Sequence, residues 1–190
     1  MNRIILALAA LLAVSPIAAT AQAVPQASSS PGNAREYDDP GLSFIAPDNF
    51  VLVGFRKLPL AALTDNLQIV AGWALKSKDV PQTITLSEQL FDGNTQGYET
   101  RFESDLRSRI DGALVKSSER TTLLNGMPAY FVDISYGSGF TLRKEFAYIW
   151  ADGVRGVALE MTARTGELDA KAAKAALLRA SAVRYPADRE

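Results

Sequence analysis

Three turn signals divide residues 113–163 into four stretches: Asn125-Gly126, Gly137-Ser138-Gly139 and Asp152-Gly153. Each stretch is rich in β-branched and aromatic residues, and the third carries Phe146, Tyr148 and Trp150 in strict alternation. Side chains in a strand point alternately to opposite faces, so this pattern reads as strands and not as helix. The spacing predicts a four-stranded antiparallel meander, and a chain committed to one must cover its faces with other elements. Asn125-Gly126 is expected to supply the two positive-φ positions of a type I′ hairpin turn. On the return strand Tyr130, Val132, Ile134 and Tyr136 are expected to share a face.

Other elements follow from local signals. Gly41–Pro47 reads as a short strand, Phe50–Leu58 as a second and Gln68–Lys76 as a third, with Gly72 warning of a bulge. Leu60–Leu67 has room for one helical turn, and Thr83–Leu86 reads as short and extended. Thr95–Asp111 carries Tyr98, Phe102, Leu106 and Ile110 at four-residue spacing, the stripe of an amphipathic helix. Glu103 with Arg107 and Asp105 with Arg109 form i,i+4 pairs in the favoured order, and Gly112 stands where a helix C-terminal glycine belongs. Glu167–Ala182 reads as a second helix with Leu168, Ala172, Ala175 and Leu178 inward, and Val183–Tyr185 as a last short strand.

The N-terminus has the layout of a secretory signal peptide: Arg3, an apolar run of eleven residues from Ile4 to Val14, Ser15-Pro16, and small-x-small sites ending at Ala21 and Ala23. The run is shorter than the roughly 20 apolar residues of a membrane span. The expected organisation is therefore a signal at residues 1–23, a flexible Pro/Ser/Ala/Gly linker at 24–36 and one domain at 37–186. No Cys follows the apolar run, so no lipidated cysteine is expected, and the expected location is periplasmic or secreted, with no stable membrane span after cleavage. With 20 Lys and Arg against 21 Asp and Glu, the charge gives no argument for nucleic acid or an anionic membrane.

The chain has no His and no Cys. Imidazole-activated nucleophiles are excluded, and so are the usual zinc and copper ligands. Ser138 sits in a fragment of a nucleophile elbow but lacks the wider G-x-S-x-G pattern and any His to activate it, so it reads as a turn. Asp92, Asn94, Gln96, Gly97 and Glu103 stand at the spacing of a calcium-binding loop. Position 8 is Glu99 where an apolar residue is required, so the stretch reads instead as a polar loop capping the helix that starts near Thr95. Asp38-Asp39, Glu145 and Glu160 are the carboxylates available for acid/base work, Glu145 and Glu160 on strands expected to be neighbours. With Arg143, Lys144, Arg155 and Arg164 in the same meander, cross-strand charge pairing on a solvated sheet edge is the favoured reading of that pair. Tyr136, Phe140 and Arg143, around the Gly-Ser-Gly turn, form the candidate interaction surface. No catalytic, cofactor-binding or metal residues are assigned.

Three pieces stand in a fixed order: GLSFIAPDNF at the start of the domain, a helix and strand followed by LNGMPAYFVDISY, and FAYIWADGVRGVALEMTA followed by a closing helix. This order resembles the PsbP/Mog1-like superfamily, including the bacterial exported proteins built on that fold. Their pattern is a G-F-x-[FI]-x-x-P opening, an [LI]-N-G-x-P-A hairpin, an aromatic strand and a closing helix. The resemblance spans residues 40–186. It implies an α+β fold, an α/β/α sandwich with one mostly antiparallel sheet between helices, and it implies no enzymatic residues. Proteins of that fold are mostly assembly factors, accessory subunits or binding proteins, and a shared fold does not transfer a role. The expectation is thus a non-catalytic exported domain that engages a protein partner or small ligand in the cell envelope, without a cofactor. The alternative is a small cofactor-free hydrolase working through carboxylates.

Overall fold

The computed structural model describes residues 36–39, 42–56, 58–76, 82–178 and 180–182. The strands are β1 (Glu36–Asp39), β2 (Leu42–Ile45), β3 (Phe50–Phe55), β4 (Gln68–Leu75), β5 (Thr83–Leu90), β6 (Leu114–Thr122), β7 (Pro128–Tyr136), β8 (Arg143–Ala151), β9 (Arg155–Arg164) and β10 (Ala180–Ala182). The helices are α1 (Thr95–Arg109) and α2 (Ala170–Leu177). Seven strands form one antiparallel sheet in the order β3-β4-β5-β9-β8-β7-β6, and β1-β2-β10 form a small second sheet. The chain builds one half of the large sheet with β3–β5, crosses to the far edge through α1, and returns by the meander β6–β9 to close against β5.

Alternation along β8 explains why the two faces differ. Phe146, Tyr148 and Trp150 join Phe44, Trp73, Leu86 and Leu159 in a core closed by Ala173 and Leu177 of α2. Their opposite neighbours Ala147, Ile149 and Ala151 face α1, where Tyr98, Phe102 and Leu106 bury their side chains. Small residues on that side let the helix come close, and the large aromatics fill the side with more depth. The result is an α+β fold with one helix on each face.

Several local expectations change. Among the described residues no non-glycine residue has positive φ, whereas Gly126 does, at +80°. Leu123 accepts from Gly126 N–H at 2.9 Å, and its own N–H donates to Met127 O at 2.9 Å. Asn125-Gly126 thus turns the chain through a three-residue loop, with glycine alone in the left-handed position, and not through a type I′ turn. Asp105 does not pair with Arg109; its carboxylate takes Arg101 Nε at 2.9 Å, and Arg109 Nε donates to the Asp105 carbonyl. Helix α2 is shorter than expected and buries Ala173 and Leu177 in place of the anticipated Ala172 and Ala175, which are exposed. The strand expected at Val183–Tyr185 lies outside the described residues; β10 ends before it.

Candidate functional site

Helix α1 lies over β7 and β8, and the same sheet face continues past it in rows that run across β9, β5 and β4. One row is Ala147, Glu160, Thr85 and Gly72; the next is Glu145, Thr162, Thr83 and Ala74. Glu145 and Glu160 are therefore diagonal neighbours on adjacent central strands, a separation of about 7–8 Å at the backbone that long side chains close. Both are buried, and each carboxyl acts on the other's protonation.

Hydroxyls surround the pair. Thr85 Oγ1 and Ser87 Oγ each donate to Glu160 Oε2 at 3.5 Å, and Thr162 Oγ1 donates to Glu145 Oε2 at 3.3 Å. The Tyr136 hydroxyl is turned toward Thr162 and Glu145. Arg109, in the last turn of α1, is the cation whose field reaches both carboxyls. Burial and the neighbouring Glu145 charge push the Glu160 carboxyl up to about 8, and burial also raises Glu145. Glu145 Oε1 is buried with no donor among the described side chains. A proton held on Glu160 avoids two adjacent buried negative charges. This corrects the expected solvated pairing with basic neighbours. Lys144 instead takes Asp133 on the opposite face at 3.0 Å, and Arg155 takes Glu88 at 3.2 Å.

The pair has a consequence for stability. Glu160 in the fold holds a proton that the unfolded chain, with an ordinary carboxyl, releases near pH 4.5. Between that pH and about 8 the native state binds more protons than the unfolded state, so stability falls as pH rises and levels off above it. The melting temperature is expected to decline from pH 5 to pH 8, and Glu160→Gln to flatten the decline. A melting temperature that rises over this range, or a slope unchanged in Glu160→Gln, would contradict the assignment.

The other candidates separate. Asn94 Oδ1 accepts from Gly97 N–H at 2.9 Å and caps α1, which places Gln96 and Glu103 on the helix; Glu103 pairs with Arg107 at 3.4 Å. The twelve residues Asp92–Glu103 therefore form a cap and two helical turns, and among the described residues no group of three or more acidic side chains is arranged to hold a metal. Ser138 belongs to a tight turn in which Thr141 Oγ1 donates to its carbonyl at 2.8 Å. Asp38 and Asp39 lie in β1, a strand of the small second sheet. An open depression of about 440 Å³ beside the start of α1 is lined by Asp65, Phe91, Asp92, Arg101 and Val154, among others.

Tyr136 and Arg143 are directly opposite on β7 and β8, half-buried, on the α1 face. Phe140 lies in the 3-10 turn Gly139–Thr141, and its side chain is outside the described set. The polar floor on β5 was missed from sequence, where the extended stretch was expected to stop at Leu86, whereas the strand runs on to Leu90. The available signal was the alternation of Ile84 and Leu86 with Thr85 and Ser87, continued through the buried Glu88 and Gln89.

Among the described residues no helix is long and apolar enough to cross a membrane. No protein-family model matches the chain, and no curated protein does. Among solved structures, a similar chain is the crystal structure of LpqN, "involved in cell envelope biogenesis of Mycobacterium tuberculosis". It is 18% identical with a TM-score of 0.49, over 77% of this chain and 87% of that one. A likeness at that level assigns this chain neither a family nor a role.

Proposed function

We propose that this protein is an exported, non-catalytic binding domain of the cell envelope, of the PsbP/Mog1-like kind, which engages a protein partner through the sheet face around Tyr136 and Arg143. The observation that carries the non-catalytic part is the burial of Glu145 and Glu160. Carboxylates that cleave a glycosidic bond stand about 5–10 Å apart with substrate between them. Here the two side chains are buried as diagonal neighbours on adjacent strands, not lining an open cleft that a substrate could enter. The helix on each face of an antiparallel sheet and the LNGMPA hairpin support the kind of fold. The signal-like residues 1–23 support export.

Crosslinking at native expression level, followed by affinity capture of the chain and mass spectrometry, tests the reading. One envelope protein is expected with the wild type and with Glu160→Gln, and is expected to be lost from Tyr136→Ala/Phe140→Ala. No partner in any of them would overturn it.

The carboxylate hydrolase is the second reading: two carboxyls stand as diagonal neighbours on one sheet face, and a substrate would have to part them. It requires turnover of an ester or glycan substrate that disappears in Glu160→Gln.

A further inference from the structure

One row of the α1 face lies beyond the carboxylate pair. Tyr136, Arg143 and Arg164 stand side by side across β7, β8 and β9: Arg143 is directly opposite both Tyr136 and Arg164. Residues directly opposite in an antiparallel pair point to the same side, their Cα atoms about 4.5–5.5 Å apart. Two like charges so placed destabilise a sheet unless something neutralises them. Among the described residues nothing does, since neither guanidinium has a carboxylate within 4 Å. The nearby acids are committed elsewhere. Glu145 and Glu160 hold each other, Glu167 Oε2 accepts from the Arg164 backbone N–H at 3.3 Å, and Asp133 takes Lys144 on the other face. Arg164 is exposed, and Arg143 and Tyr136 are half-buried.

We infer that the Tyr136–Arg143–Arg164 row is the docking site for an acidic segment of the partner protein, its carboxylates taken by the two guanidinium forks and its adjoining chain resting on the Tyr136 ring. The inference rests on the binding-domain reading and names the partner's chemistry. Guanidinium groups match carboxylates geometrically and in charge. Tyr and Arg are the side chains that carry most binding energy at protein interfaces. A row across three strands, flat and partly exposed, suits an extended acidic stretch better than an enclosed small ligand.

The test is fluorescence anisotropy of a labelled octaglutamate peptide against the intact chain at low salt, with Arg143→Ala, Arg164→Ala, the double variant, and Lys171→Ala as a control. Lys171 is an exposed cation on α2, on the opposite face. An exposed ion pair is worth up to about 1 kcal/mol, so each arginine variant is expected to weaken binding by up to about fivefold and the double variant by more. Lys171→Ala is expected to leave it within about twofold. Equal weakening by all of them, no binding by the wild type at millimolar peptide, or binding only to phosphatidylglycerol vesicles would overturn the assignment. If a partner is captured equally by the wild type and by Arg143→Ala/Arg164→Ala, the docking site is wrong and the binding-domain reading stands. If no partner is captured, the binding-domain reading itself fails.

Discussion

Gly156→Ala is expected to cost about 3 kcal/mol and to lower the melting temperature by about 6–12 °C. Gly156 lies on β9 beneath the first turns of α1, and a Cβ built there would overlap the edge of the Tyr98 ring. The ring has nowhere to go. It is fully buried, with Phe91 at 5.2 Å and Phe102 at 6.4 Å between ring centroids. The glycine is required for closeness, and its backbone is not in the left-handed region. Trimming the ring should return part of the loss, so Tyr98→Leu is expected to cost less in the Gly156→Ala background than in the wild type. Thermal melts of the four proteins give the coupling. A Gly156→Ala protein within about 0.5 kcal/mol of the wild type would mean that α1 does not sit as described.

Arg155→Met is expected to cost about 3–5 kcal/mol. Arg155 Nη1 meets Glu88 Oε2 at 3.2 Å with side chains only 5% and 1% exposed, and its Nε reaches Asp152 Oδ2 at 3.4 Å. Removing the cation leaves Glu88 charged in the interior, and that desolvation, more than the lost attraction, sets the cost. Replacing both members, Glu88→Leu with Arg155→Met, is therefore expected to recover most of the stability. Chemical denaturation of the two variants decides it. A double variant as unstable as Arg155→Met alone would place the cost in lost packing instead.

The meander was legible because its signals are local. Turn glycines, alternation along β8 and β9, and the α1 stripe of Tyr98, Phe102 and Leu106 each act within a few residues. The Asn94 cap of α1 was legible for the same reason. What escaped depends on distant partners. Glu145 and Glu160 look like surface charges on a strand until register places them as diagonal neighbours past the edge of α1, where burial makes them share a proton. Ser87, Glu88 and Gln89 fell beyond the extended stretch expected at Thr83–Leu86; their partners are Glu160 and Arg155 of β9 and Asp105 of α1. The Asn125 turn differed because loop length, and not the Asn-Gly pair alone, decides which residue takes positive φ. Of the expected interaction surface, the adjacency of Tyr136 and Arg143 follows from the meander, whereas Arg164 joins them only through the β8–β9 register.

Glu145 and Glu160 are held as a buried, proton-sharing pair. Carbon-13 NMR titration of the glutamate carboxyls in the intact chain, assigned with Glu145→Gln and Glu160→Gln, tests it most directly. A Glu160 midpoint near 8 is expected, with a Glu145 midpoint above the ordinary carboxyl range and a shift of each when the other is replaced. Two independent midpoints near 4.5, each indifferent to loss of the other, would contradict it.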